Sequence, residues 1–211
     1  MYSDGVPLHL LDHPIAQDTL LSLRDATTGA EQFRRLARRI SFLLLAEATR
    51  DLPTRTETVL TPLGPADGRR FATSIVVVPV LRAGLGMLDA VLEMLPQARV
   101  GHIGLQRDES TAMASQYYSK VPGSLADARV LMVDPMLATG GSAVAALNVL
   151  RNAGAHDIHL LCIVAAPEGI AEVERHHPGV HIYTPVVDQG LNAHKFIVPG
   201  LGDFGDRLFG T

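Results

Sequence analysis

From residue 75 onward, continuous apolar segments alternate with amphipathic ones, and that rhythm restricts the architecture more than any other feature of the 211 residues. Ile75-Val-Val-Val-Pro-Val80, Val100 to Leu105, Arg129 to Val133, Ile158 to Ala165 and Val180 to Val187 are predicted strands, and Met87 to Leu95, Ser142 to Ala153 and Pro167 to His176 predicted helices. A strand with one wet face alternates polar and apolar residues. These do not alternate, so both faces must be covered, as in an α/β fold whose parallel sheet is flanked by helices. In such open sheets ligands bind outside the carboxyl ends of the strands. Three loops with chemistry on them leave those ends: Leu81 to Gly86, Gln106 to Ala128 and Asp134 to Ser142.

The residues before 75 read differently. Pro14 suits the first position of a helix over Ile15 to Leu23, and Thr28 with Glu31 three residues later has the spacing of a capping box. The next helix is predicted over Glu31 to Arg50, with Phe33, Leu36, Ala37, Ile40, Leu44 and Ala48 facing the core. Arg34, Arg35, Arg38 and Arg39 fall on its other side, as a solvated face or subunit contact in preference to an RNA-binding stripe. Thr56 to Leu63 alternates as an edge strand, and Asp67-Gly68 is the expected turn of a peripheral hairpin leading to Arg69-Arg-Phe71.

Composition excludes several classes. No apolar run approaches the roughly 18 residues of a membrane span, and Met1-Tyr-Ser-Asp-Gly-Val lacks a signal-like pattern, so a soluble, cytoplasmic chain is expected. A net charge of −4 gives no general attraction to nucleic acid. Cys162, the one cysteine, lies within Leu160-Leu-Cys-Ile-Val164 and is expected to be a buried core thiol. No H-E-x-x-H or C-x-x-C spacing argues for a protein-held zinc.

Val130-Leu-Met-Val-Asp134-Pro-Met-Leu-Ala138-Thr139-Gly140-Gly141-Ser142 runs from strand through a small-residue turn into a helix. Successive backbone N–H groups and the positive end of that helix favour a phosphate there. A carboxylate would repel phosphate, so Asp134 suits the hydroxyls of a sugar carrying it. The segment lacks the lysine of a P-loop, and no G-x-G-x-x-G opens a helix. Taken alone, Thr139-Gly-Gly-Ser142 also fits a tight strand-to-helix turn with a hydroxyl cap.

The loop Leu81-Arg82-Ala-Gly84-Leu-Gly86 adds a guanidinium fork suited to phosphate oxygens, or to solvent if the loop is only a turn. Arg107 begins a polar stretch, Asp108 to Gly123, in the loop Gln106 to Ala128, whose length points to a lid or to an unrecognised element, and Tyr117 and Tyr118 fit an edge strand as well as a substrate contact. The tail Ile197-Val-Pro-Gly200-Leu-Gly202-Asp203-Phe204-Gly205-Asp206-Arg207 is too apolar for a disordered end. Its glycines suggest backbone drawn closely around a flat ligand, or a packed terminal loop.

Val80-Leu-Arg82-Ala-Gly-Leu-Gly86, Arg107-Asp-Glu109, Val133 to Ser142, Ala165-Ala-Pro-Glu-Gly169 and Ile197-Val-Pro-Gly-Leu-Gly-Asp203, together with Asp12-His-Pro14, resemble the uracil phosphoribosyltransferase family over nearly the whole chain. The resemblance implies a type I phosphoribosyltransferase fold in one domain over 1–211. N-terminal helices and the peripheral hairpin would occupy 1–72, the α/β core 73–180 and a base-binding hood 181–211. It implies transfer of the 5-phosphoribosyl group of 5-phosphoribosyl 1-diphosphate (PRPP) to N1 of uracil, giving UMP and diphosphate in pyrimidine salvage. Mg²⁺ would be held mainly through PRPP. A homodimer or higher homo-oligomer is expected, and GTP stands as a candidate effector.

Carried over by position, PRPP would be bound by Arg82, Arg107, Asp134, Pro135, Met136, Leu137, Ala138, Thr139, Gly140, Gly141, Ser142 and Asp203. Asp134 would take the ribose hydroxyls, the Ala138 to Ser142 amides the phosphate, and the two arginines the diphosphate. Uracil would meet main-chain groups at Ile197, Gly202, Asp203 and Phe204, and Arg107 and Asp203 would be catalytic. The chain departs from the family pattern at Ala112-Met113-Ala114-Ser115 in the lid, at Lys195-Phe196 where Gly-Tyr is frequent, and at Phe204 where alanine is common. A regulator that binds RNA, or a uracil- and PRPP-binding protein without turnover, on the same fold are the alternatives.

Overall fold

The computed structural model describes residues 7–107 and 114–211, with the side chains of Arg107 and Ala114 excepted. Residues 1–6, and residues 108–113 of the expected lid, lie outside the described residues, so the departures at Ala112 and Met113 and the motif residues Asp108 and Glu109 do too. In chain order the elements are β1 (Leu8–Leu10), α1 (Pro14–Arg24), α2 (Ala30–Ala48), β2 (Thr54–Thr61), β3 (Gly64–Phe71), β4 (Ser74–Leu81), α3 (Leu85–Met94), β5 (Arg99–Val100), β6 (His102–Arg107) and β7 (Ala114–Lys120). There follow β8 (Ala128–Val133), β9 (Met136–Leu137), α4 (Gly141–Asn152), β10 (Asp157–Leu161), β11 (Val164–Ala165), α5 (Pro167–His176), β12 (His181–Thr184), β13 (Gly190–Leu191), β14 (Ile197–Val198) and α6 (Phe204–Phe209).

The main sheet has eight strands in the order β1-β12-β10-β8-β4-β6-β7, with β5 also pairing with β4. Its pairs are parallel except β6 with β7. The apolar strands explain this arrangement residue by residue. Ile75, Val77, Leu131 and Val133 face one core with α1, α2, α3 and α6, while Val76, Val78, Val130 and Met132 face a second with α4 and α5. Because successive side chains point to opposite faces, an unbroken apolar strand is what two covered faces require. The order also contains a switch point. From β4 the chain winds outward through α3 to β6, whereas from β8 it winds the other way through α4, β10, α5 and β12, so a crevice opens beyond the carboxyl ends of β4 and β8.

Several local expectations need correction. Thr28 does not cap α2: Gly29 does, and the Thr28 hydroxyl instead donates to the Ser22 carbonyl at 2.7 Å. The hairpin turns at Pro62-Leu63, not at Asp67-Gly68, which lie inside β3 opposite Thr58 and Glu57. The Thr58 hydroxyl donates to Asp67 at 2.7 Å, so the carboxylate stabilises the ladder where it was expected to stabilise a turn. The long polar stretch after Arg107 contains β7. Tyr117 lies there with its ring over Gly104, where a Cβ would stand 2.6 Å from the ring, so the edge-strand reading holds for this residue. The terminal segment contains the short helix α6, which two glycines and two acids within seven residues concealed.

Candidate active site

At the switch point the ends of β4 and β8 enclose a concavity of about 340 Å³. Arg82, Asp134, Met136, Leu137, Ala138, Thr139, Gly140, Ser142 and Asp203 line it, joined by Val80, Leu81, Ala83, Leu105 and Ala143. Nine expected residues from three distant segments therefore converge.

The β8 side is built by the turn into α4. Gly140 caps this helix with φ +82°, a left-handed conformation open to glycine and costly for other residues. A Cβ there would also stand 2.7 Å from Cβ of Glu172 and 2.9 Å from the Gly169 carbonyl oxygen. The turn is thus pressed onto α5, and Ser142 and Ala143 in the first turn of α4 line the concavity. Pro135 and Gly141 do not line it. The Pro135 carbonyl accepts from Ile163 N (2.9 Å) and Val164 N (3.1 Å), which ties the loop to the neighbouring strand. Gly141 begins α4, its amide 3.5 Å from the Thr139 hydroxyl.

Asp134 is the electrostatic centre. Burial lifts its carboxyl to about 7, opposed by a hydrogen bond from the Met136 amide. A half-neutral acid at physiological pH can both donate to and accept from sugar hydroxyls. Gly84 brings the opposite wall close, since a Cβ there would lie 2.5 Å from the Val133 carbonyl oxygen. Arg82 follows a cis Leu81–Arg82 peptide, lies 3.7 Å from Asp206 and stacks 5.7 Å from the Phe209 ring centroid, so its guanidinium leans on α6. Arg107 ends β6; its side chain is outside the described residues.

The tail contributes backbone more than side chains. Phe204 is buried edge-on against Phe33, ring centroids 5.0 Å apart, and Ile197 is buried in the same core. Neither side chain therefore faces the concavity. Gly202 has φ +80°, and Asp203 caps α6 by accepting from the Asp206 amide at 2.9 Å while also lining the concavity. Within the segment 181–211, His181–Thr184 forms β12 of the main sheet.

Sequence reasoning did not find the residues that fasten this tail. Asp188 accepts a bidentate pair from Arg24 (2.9 and 2.6 Å), and Arg207 donates to Leu201 O (2.8 Å), Asp25 O (2.6 Å) and Leu23 O. Glu168 accepts from Leu191 N at 3.0 Å. A charged residue directly after the apolar pair Val186-Val187 was the available signal. Three of the four α2 arginines are engaged within the chain: Arg34 donates to Leu208 O at 2.8 Å, Arg35 pairs with Glu31 at 2.6 Å, and Arg38 pairs with Glu93.

Comparisons with known proteins bear on the family and the fold. The family model described as uracil phosphoribosyltransferase matches residues 10–211. The uracil phosphoribosyltransferase of Dictyoglomus thermophilum is 52% identical over 203 residues, covering 96% of this chain and 98% of that protein. That of Shouchella clausii is 49% identical over 205 residues, covering 97% and 98%. A solved protein from Aquifex aeolicus superposes with a TM-score of 0.91 at 35% identity, covering 96% of this chain and 97% of that one. A hypoxanthine-guanine phosphoribosyltransferase of Bacillus anthracis, at 11% identity and a TM-score of 0.52 over 75% of this chain and 80% of its own, shares the fold.

Proposed function

The chain belongs to the uracil phosphoribosyltransferase family, and from that premise we propose that its switch-point concavity transfers the phosphoribosyl group of PRPP to N1 of uracil in pyrimidine salvage. The observation that carries the assignment is the convergence of Arg82, Asp134, the Ala138–Ser142 turn and Asp203 on one concavity. The α4 amides take the 5-phosphate, Asp134 the ribose hydroxyls, and Arg82 with Arg107 the diphosphate. The hood presents main-chain groups at Ile197 and Gly202 to Phe204 to the donor and acceptor edge of uracil. Cytosine would leave such buried groups unpaired, which is how a backbone site discriminates.

In the reaction the N1–C1′ bond forms, the C1′–O bond to diphosphate breaks with its electron pair on oxygen, and the N1 proton of uracil passes to water or to the departing diphosphate. The ribosyl centre is oxocarbenium-like in between, so catalysis rests on alignment and on compensating the departing charge. Arg82 must swing from Asp206 and Phe209 to reach the diphosphate, a rotation that an exposed side chain makes at small cost. Mg²⁺ fits the site through the substrate: no group of three or more acidic, histidine or cysteine ligands could cage it among the described residues, so PRPP oxygens would hold the ion, which would neutralise diphosphate charge while keeping several waters.

Assembly is part of the same proposal. The hairpin β2–β3 carries Leu60, 85% exposed, and a fully exposed Leu63, an apolar tip suited to a second copy of the chain. We place the enzyme in the cytoplasm as a homo-oligomer, with GTP kept as a candidate effector. The decisive experiment mixes purified protein with uracil, PRPP and Mg²⁺ and follows UMP. Absence of UMP from a protein whose melting temperature PRPP raises would refute the catalytic assignment.

A further inference from the structure

Asp188 is a carboxylate whose side chain is 3% exposed, and a charge so placed requires compensation. Arg24, the last residue of α1, supplies it through two parallel bonds, Nη1 to Oδ2 at 2.9 Å and Nη2 to Oδ1 at 2.6 Å. The pair also grips a third residue. Gly200 N donates to Asp188 Oδ2 at 2.9 Å, and Arg24 Nη1 donates to the Gly200 carbonyl at 2.7 Å. Both polar backbone atoms of Gly200 are thus held by one ion pair. Gly200 is in the left-handed region at φ +59°, and a Cβ would meet the Ile197 carbonyl oxygen at 2.2 Å, so the chain is folded tightly back at this point.

The Arg24–Asp188 pair is not the tail's only fastening. Arg207 already binds carbonyls at Leu23, Leu201 and Asp25, its guanidinium lies 4.5 Å from the Phe33 ring centroid, and Phe204 is packed in the core. What the ion pair adds is the setting of the turn between Ile197 and Gly202, the stretch whose main-chain edge reads the base in the function proposed above. We propose that Arg24 and Asp188 are positioning residues for uracil recognition, acting through Gly200 and leaving the PRPP subsites alone. The inference rests on the base-binding reading of the hood. An error of about 1 Å in such an edge costs on the order of a hundredfold in a positioned reaction.

The test uses the full chain and steady-state UMP formation, varying each substrate with the other saturating, alongside the PRPP–Mg²⁺-induced rise in melting temperature. For Arg24→Gln, kcat/KM for uracil should fall roughly tenfold to a hundredfold, mainly through KM. The PRPP-induced rise should stay at its wild-type size. Arg24→Gln/Asp188→Asn should be less impaired than Arg24→Gln, because a neutral pair leaves no uncompensated charge on the turn. Should Arg24→Gln not accumulate, Asp188→Asn, which keeps an acceptor for Gly200 N, carries the same comparison with a smaller expected loss. A wild-type KM for uracil in these variants overturns the inference, as does an equal loss of PRPP response with no recovery in the double variant. A wild-type protein that makes no UMP counts against the proposed function instead.

Discussion

Asp203 carries two duties that substitution can separate. As the cap of α6 its Oδ1 accepts from the Asp206 amide at 2.9 Å, and as a carboxylate it lines the concavity. Alanine removes both, and loss of a cap costs about 1 kcal/mol. The charge–dipole contribution at a helix start adds about 0.3–1 kcal/mol. For a domain of this size each kcal/mol lowers the melting temperature by about 2–4 °C, so Asp203→Ala should melt about 3–8 °C below wild type. Asparagine caps as well as aspartate and forfeits only the charge, so Asp203→Asn should lose at most about 4 °C. Turnover should follow the carboxylate and not the cap, falling strongly and to a similar extent in both variants. Thermal melts and UMP assays on the pair provide the check. Wild-type turnover in Asp203→Asn would show that the pocket does not need the charge, and a melting loss equal to that of alanine would refute the capping argument.

Arg107→Ala should lower turnover more than it raises KM for uracil, since the proposed work of Arg107 is on the leaving group; unchanged turnover rejects that role. Asp134 has its carboxyl raised from 3.8 to about 7 by burial, so the folded protein keeps a proton that the unfolded chain has released. Its stabilising contribution is full below pH 4 and is lost as pH rises through 7, and Asp134→Asn should flatten that limb of a melting-against-pH curve. An unchanged limb in that variant contradicts the argument. His9 and His181, 3.0 Å apart nitrogen to nitrogen, are both lowered from 6.5, first by burial and then by the nearby His159. Glu47 and Asp51 oppose the shift for His9, and Asp157 and Asp51 do so for His181. Here the unfolded chain protonates first, so stability present above pH 6.5 falls on acidification, and His9→Gln should be less sensitive between pH 6.5 and 5. Equal acid sensitivity in the variant would exclude the pair as its source.

The parts of the fold legible in the sequence are those in which burial alone sets the residue pattern. β4 and β8 are apolar because both faces are covered, and the core face of α2 from Phe33 to Ala48 recurs at helical spacing. Legibility failed where length or competing chemistry intervened. β1 has three residues and is fixed by pairing with β12, more than 170 positions away in the chain, which no local window contains. Asp67-Gly68 has the composition of a turn, yet its carboxylate is satisfied by Thr58 across the ladder. For the site, the turn that lines the concavity is a local arrangement and could be read from Asp134 to Ser142. Arg24 and Asp188 could not, because their meaning lies in a contact between distant segments. The packing of Phe204 on Phe33 is equally a contact between distant segments.

Cys162 stands between β10 and β11, wholly buried, its thiol pushed up to about 12 by burial and donating to the Tyr183 carbonyl at 3.6 Å. As the chain's single sulfhydryl, just past the carboxyl end of β10, it is a built-in clock. An alkylating reagent meets a thiolate only in molecules that have opened around Cys162, so at reagent concentrations where closing outpaces labelling, the labelling rate reports the equilibrium population of the open form. Substrates that close the crevice above β4 and β8 should slow that clock, and the slowing would convert directly into the free energy with which each ligand holds the sheet shut.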